Sequence, residues 1–228
     1  MDALTAKAEC LGRRGREADR RLERGRSLGY DRPTMEKRAL LLDGGLDDGA
    51  VTRAAAAAAA DVLGGEDWQV THLALREIEI APCRGCFGCW VYSPGVCVID
   101  DAGRDVARRA AQSDLLVFLT PVTFGAYSSE LKKAIDRLIP NILPFFRRVR
   151  GEVHHVKRYA RPARLLAIGV SASGSVDPDE EELFEKVVSR NAINFHAPVH
   201  RICVLGSQQD DAVVRRRIED AVRAVIGR

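Results

Sequence analysis

Four cysteines stand close together in this chain, in Cys83-Arg-Gly-Cys86-Phe-Gly-Cys89-Trp90 and then Gly95-Val-Cys97. The first three have C-x2-C-x2-C spacing and the fourth follows after seven residues, so one short loop can turn four thiolates toward a single small object. The three-cysteine portion matches the ligand spacing of ferredoxin clusters, whose fourth interval differs. Structural zinc more often uses two separated pairs. In a chain expected to stay inside the cell, such a cluster reads as metal or redox chemistry before structural disulfides. Cluster or metal ligation, redox-active thiols and simple packing in a tight loop are all compatible with the pattern. Should a metal centre exist, Cys83, Cys86, Cys89 and Cys97 are its ligands. Cys10, in an Arg-rich N-terminal stretch, and Cys203, in a candidate buried strand, are not.

The elements that must position this loop alternate in type. Arg38 to Asp43 is a short apolar run stopped by Gly44-Gly45, suited to a central buried strand. Val51 to Leu63 is almost pure alanine, the strongest helix former, and Gly64-Gly65 ends it. Trp68 to Leu75 alternates as a second strand. Asp100-Asp101 opens a helix through Val106 and Ala110, since Asp is favoured at the N-cap and in the first turn. Asp114 to Thr120 is the clearest buried strand. Ser128 or Ser129 then caps a helix whose Leu131, Ala134, Ile135 and Leu138 recur at helical spacing up to Pro140. With no base evident beside them, these serines read as caps and not as nucleophiles. A strand over Arg164 to Val170, a helix over Glu180 to Asn191, a strand over Val199 to Leu205 and a helix over Asp211 to Ile226 complete the series.

Five strand–helix alternations predict one α/β domain, a parallel sheet covered on both faces. In such doubly wound sheets ligands bind beyond the carboxyl ends of the strands. The loops to examine are therefore Asp43 to Thr52, Thr120 to Ser129 and Ser171 to Asp179.

Composition supports a folded chain of this kind. With 46% hydrophobic residues over 228 positions there is material for a real core, and wholesale disorder is excluded. The longest uninterrupted apolar stretch, Ala54 to Ala60, is far short of the roughly 20 residues a membrane helix needs. No apolar segment follows the basic start, so no signal peptide is expected, and the location expected is cytoplasmic. Charge is uneven: residues 1–38 hold eleven Lys or Arg against seven Asp or Glu, while the remainder is nearly balanced. Residues 1–36 read as a flexible Arg-rich extension and 37–228 as the domain. The acidic residues of the extension argue against a mitochondrial presequence, and Met35, directly before the first strand, is a candidate translation start. No nucleic-acid-binding motif accompanies the basic stretch, so neither nucleic acid nor a membrane is an expected partner.

The segments IAPCRGCFGCW…GVCVIDDAG and SDLLVFLTPVTFGAYSSELKKAIDRLIP resemble the NADPH-dependent FMN reductase family, including its iron–sulfur flavoproteins. The resemblance covers about Ala39 to Leu205. It implies a flavodoxin-like three-layer α/β/α fold with five parallel strands in the order 2-1-3-4-5, FMN at the strand ends and NAD(P)H as co-substrate. It also implies electron delivery to a flavin or another small-molecule acceptor, and a [4Fe-4S] cluster if the cysteines follow the iron–sulfur branch. Pro121, Val122, Thr123, Phe124 and Gly125 match the loop that borders the flavin ring, where free backbone N–H groups would meet the ring's polar edge.

The family's phosphate loop resembles G-S-P-R-x-x-S-N-T. Here the stretch is Gly44-Gly-Leu-Asp-Asp-Gly-Ala-Val-Thr52, without the Ser, Arg and Asn, and Asp47 and Asp48 would repel a phosphate. The candidate cofactor-binding residues are thus Gly44, Gly45, Gly49 and Thr52, then Pro121 to Gly125, then Ser171. An electron-transfer protein and a flavodoxin-like scaffold that has lost FMN are the other functional readings.

Residues 140–163 read as a long basic connection, with Arg147, Arg148, Arg150, Lys157, Arg158 and Arg161 opposed only by Glu152. It suits the phosphates of NADPH, an acidic partner or a neighbouring subunit. Ile142, Phe145 and Phe146 supply an apolar patch, and a homodimer or homotetramer with this segment at the contact is expected. His154 and His155, adjacent in an extended chain, point apart and so do not suit one metal.

Overall fold

A computed structural model describes residues 36–172, 174 and 176–227. The expected N-terminal extension, with Cys10 and Met35, lies outside the described residues. The first strand, β1 (Lys37–Asp43), leads through a glycine-rich loop into α1 (Ala50–Gly65), and β2 (Trp68–Ala74) follows. A long loop containing the short helix α2 (Gly88–Val91) connects β2 to α3 (Ala102–Gln112). Next come β3 (Leu115–Pro121), α4 (Ser129–Asp136), the strands β4 (Ile142–Val149) and β5 (Glu152–Lys157), and β6 (Arg164–Ser171). The chain closes with α5 (Pro178–Asn194), β7 (His200–Gly206) and α6 (Asp211–Ile226).

Five strands form one parallel sheet in the order β2-β1-β3-β6-β7, which is the expected 2-1-3-4-5 arrangement when its own strands are counted in sequence. Alternate residues of each strand face opposite layers. Leu41, Val117, Leu119, Ile168 and Leu205 meet α1 and α6, where the alanines of α1 leave room for Val214, Ile218 and Val222. Leu40, Leu42, Leu116, Phe118 and Ala167 meet the other layer, built from Val106 and Ala110 of α3, Leu131 and Ile135 of α4, and Phe184 and Val188 of α5. Burial on both faces is why these strands read as continuous apolar runs. Cys203 lies in this core, and burial pushes its thiol up.

Two expectations need correction. The long basic connection of residues 140–163 contains two strands that the sequence reading does not assign: β4 and β5 pair antiparallel across Arg150 and Gly151, whose φ values of 50° and 88° match the two left-handed positions of a type I′ hairpin turn. The sequence hides this because an Arg-Gly turn is less telling than Asn-Gly. The helix expected to run to Pro140 ends at Asp136, and Pro140 sits inside a separate 3-10 turn, Ile139–Asn141.

One close contact fixes β1 against α4. The Gly44 N–H donates to Leu119 O at 2.8 Å, and the Ser128 hydroxyl donates to Gly44 O at 2.6 Å. Ser128 Oγ also accepts from Leu131 N at 3.3 Å, which caps α4, and the Ser128 N–H donates to Thr120 Oγ1 at 2.9 Å. A Cβ on Gly44 would lie 2.6 Å from Leu131 Cβ and 2.8 Å from Ser128 Oγ. Leu131 is held by the helix it belongs to and cannot step aside cheaply. Gly44→Ala is therefore expected to cost about 1–3 kcal/mol, read as a lower urea midpoint at unchanged denaturant slope. A midpoint equal to that of the unmodified chain would contradict the packing argument.

Candidate functional site

Parallel strands deliver their carboxyl ends to one edge, and three loops leave it. In the first, Gly45 N–H donates to Asp43 Oδ1 at 2.8 Å and Gly49 N–H donates to Asp47 Oδ1 at 3.0 Å. Gly49 is the N-cap of α1 and offers no side-chain cap, so the first N–H groups of this helix carry no capping side chain. Thr52 is buried in the first turn. Asp48, expected to repel an anion, pairs with Arg76 at 2.7 Å and is thereby partly neutralised.

In the second loop Pro121 ends β3, and Val122 is buried with its N–H bonded to Val170 O at 2.8 Å. Thr123 and Ala126 exchange backbone hydrogen bonds of 2.9 and 3.0 Å around the tip. The N–H groups of Val122 and Thr123 are thus engaged within the protein, contrary to the expectation that this loop's donors stand free. At the tip Phe124 takes a left-handed backbone, φ 51°, and its side chain is 96% exposed. Gly125 follows at φ 71°, a conformation that favours glycine. An aromatic ring held out at the sheet edge by a strained backbone offers a planar surface for a ring system to lie on. In the third loop Ser171 is buried, and its hydroxyl donates to Glu180 Oε2 at 2.7 Å.

The cysteine loop forms a second neighbourhood. Cys83 and Cys86 are exposed, Cys97 is half-buried and Cys89 is buried at the start of α2. Burial pushes the Cys89 thiol up, and the surrounding Cys97, Cys83 and Cys86 push it further. Cys83, Cys86 and Cys97 are thus near enough to act on the Cys89 thiol. Among the described residues no three His, Cys, Asp or Glu side chains stand close enough for one metal ion. A cluster is a wider object than an ion, and an all-thiol donor set on one loop is of the kind that suits iron–sulfur groups. Trp90 turns toward the hairpin, where its indole N–H donates to Ile142 O at 3.0 Å, and Phe87 stacks on it at 5.2 Å. His155 joins the same aromatic row between Trp90 and Phe146, while His154 turns to Glu152 and Asn194. The two histidines do point apart. Of the expected apolar patch, Phe145 and Phe146 are exposed, whereas Ile142 is buried in the core and contributes nothing to a surface.

Sequence reasoning missed the residue that holds this loop. Arg137, at the C-terminal end of α4, has a fully buried guanidinium. It grips both oxygens of Asp101 at 2.6 and 2.8 Å, and donates to Ala81 O at 2.8 Å and Ile99 O at 3.2 Å. Asp101 in turn caps α3 by accepting from Gly103 N at 3.0 Å and accepts from Ala81 N at 2.8 Å. Both ends of the cysteine loop are thus tied to one ion pair. Arg104 adds bonds to Cys97 O at 2.8 Å and Val98 O at 3.2 Å. Among the described residues Arg137 Nε has no hydrogen-bond partner; burial opposes the guanidinium's charge, and Asp101, with Cys97 nearby, outweighs it. Beside Cys97 a cleft of about 690 Å³ opens among Asp101, Arg104, Ala107 and Tyr159.

The Arg137 hydrogen bonds hold the Asp101 carboxyl below the usual carboxylate range. A depressed pKa contributes stability above the unfolded value, near 4, that is lost as pH falls through the folded value. Arg137→Leu removes one partner of a buried pair, which costs roughly 3–5 kcal/mol. The stability gap between this variant and the unmodified chain, measured by denaturant titration, is expected to be full at pH 7 and to shrink as pH drops below the ordinary carboxylate range. A gap independent of pH would contradict the assignment.

Comparison with known proteins places this arrangement. The sequence profile of the NADPH-dependent FMN reductases matches residues 38–182. An iron–sulfur flavoprotein of Methanocaldococcus jannaschii is 25% identical over 147 residues, which span 64% of this chain and 64% of that protein. An FMN-dependent NADH-azoreductase from Bacillus anthracis, solved with FMN, is 12% identical with a TM-score of 0.58, covering 82% of this chain and 95% of its own. An NAD(P)H:quinone oxidoreductase from Methanothermobacter marburgensis gives 14% and 0.58, over 83% of this chain and 95% of that one. At these identities the likeness to the two solved structures is one of fold.

Proposed function

The chain belongs to the NADPH-dependent FMN reductase family, and from that premise we propose that it is an FMN-dependent NAD(P)H oxidoreductase acting on a flavin or another small acceptor. The observation that supports the reading in this chain is the second loop. Phe124 stands exposed in a left-handed backbone beside Gly125, at the strand edge where doubly wound sheets bind ligands. FMN, when bound, supplies the hydride and electron chemistry. The chain's own residues seat and shield it: Phe124 and the Pro121 to Gly125 backbone for the ring, the α1 N-terminus with Gly44, Gly45, Gly49 and Thr52 for the opposite end, and Ser171 at the third loop. Purified protein is expected to bind FMN stoichiometrically and to oxidise NADH or NADPH only when flavin is present. Failure to bind flavin, or no oxidation of either nicotinamide with flavin bound, would contradict the reading.

A second reading, flavin and iron–sulfur electron transfer, is favoured by one observation: four free cysteines share one loop, with Cys83 and Cys86 exposed beside the half-buried Cys97 and the buried Cys89. In that case Cys83, Cys86, Cys89 and Cys97 hold a [4Fe-4S] cluster, and the buried guanidinium of Arg137 offsets part of the thiolate charge. Anaerobically purified protein is then expected to contain iron and sulfide, lost in Cys86→Ala and kept in Cys203→Ala. Stoichiometric iron that survives Cys86→Ala would overturn the assignment.

A further inference from the structure

The edge between β1 and β3 is the switch point of the sheet, and α1 turns its positive end toward it. On general grounds a phosphate attached to a bound ligand would sit there. The loop leading into that helix is filled with the chain's own negative charge. Asp43 takes the Gly45 N–H at 2.8 Å and Asp47 takes the Gly49 N–H at 3.0 Å, so two backbone donors at the helix entrance already hold carboxylates.

Asp43 is fixed in place, whereas Asp47 is exposed and held by the Gly49 N–H alone. Asp43 is only 5% exposed, and although burial pushes its carboxyl up, hydrogen bonds from His72 and Gly45 and the charge of Arg76 outweigh it and keep the group ionised. His72 Nε2 stands 3.3 Å from Asp43 Oδ2. Of the cations nearby, Arg76 is engaged by carboxylates, whereas Arg53 keeps its charge and meets only a backbone carbonyl. Arg76 is shared among Asp48 at 2.7 Å, Glu77 at 3.2 Å and Asp43 at 3.8 Å. Arg53 donates to the Asp48 carbonyl at 2.7 Å. What favours a dianion here is the uncapped end of α1 with Arg53, and what opposes it is Asp43 and Asp47, with Asp48 partly offset by Arg76. The two act over the same few ångströms with opposite sign.

We propose that this first loop does not select for a phosphate: the site recognises the ring and sugar-alcohol portion of a flavin, and FMN and riboflavin bind it almost equally well. The proposal rests on the flavin reading above and names the part of the ligand that the chain recognises. Seating of the ring belongs to the second loop, around Phe124, which the carboxylates do not touch. The first loop then contributes shape, through Gly44 and Thr52, without net electrostatic attraction.

Titration of flavin-free protein with FMN and with riboflavin, followed by flavin fluorescence at low and high salt, tests this. The two Kd values are expected to differ by less than about fivefold, and the FMN Kd to hold steady or tighten as salt screens the carboxylates. In the double variant Asp47→Asn, Asp48→Asn, FMN is expected to gain on riboflavin by about tenfold while the riboflavin Kd stays put. FMN binding the unmodified protein fivefold or more tighter than riboflavin, with affinity falling as salt rises, overturns the proposal and leaves the flavin reading standing. A ratio unmoved by the double variant overturns it too. Absence of binding by either flavin overturns both this proposal and the flavin reading.

Discussion

The contact at Gly44 sets the spacing of everything at the carboxyl edge. Its backbone is clamped between Leu119 O on β3 and the Ser128 hydroxyl at the start of α4, with Leu131 pressed where a side chain would be. Because Ser128 also caps α4 and bonds Thr120, one hydroxyl and one missing methyl register the first loop, the second loop and a helix against one another. The parallel sheet supplies the direction, since every strand ends at the same edge. The clamp supplies the distance. Strain and exposure at Phe124 are tolerable only because the residues on either side of the tip are held by Val170 O and by the Thr123–Ala126 pair.

A different device holds the cysteine loop. It is long and contains only four helical residues, so its shape cannot come from regular hydrogen bonding. The bidentate pair of Arg137 and Asp101 takes over that role, fixing Ala81 and Ile99 while capping α3. A buried pair of this kind is weak as a source of stability, because both charges were desolvated to form it, yet removing either partner is costly. It holds one geometry strictly, in a segment that regular hydrogen bonding does not fix.

The layers were legible because burial on both faces writes long apolar runs, and Asp211 to Ile226 was readable as a helix to its ends. Three features were not legible, each for a physical reason. The exposed positions of the β4–β5 hairpin are polar or aromatic except for Val153, and its turn uses Arg150 in a left-handed conformation that pattern does not reveal. The α2 turn is too short for periodicity and starts from Phe87 in a left-handed backbone. Arg137 looks like any solvated arginine near a helix end, and its partner lies 36 residues upstream. At the site, the Cys, Gly and Pro residues announced themselves by type and spacing. The neutralisation of Asp48 by Arg76 did not, because it depends on how β2 and the 3-10 turn Leu75–Glu77 sit beside the first loop.

The proposed seat of the flavin is the carboxyl edge of the sheet and not the cleft beside Cys97. Amide hydrogen exchange of the protein with and without saturating FMN tests it most directly. A flavin seated at the carboxyl edge gives new protection in residues 44–53 and 121–127, with residues 95–112 unchanged. Protection confined to residues 95–112, or none in the two edge loops when flavin is bound, would contradict it.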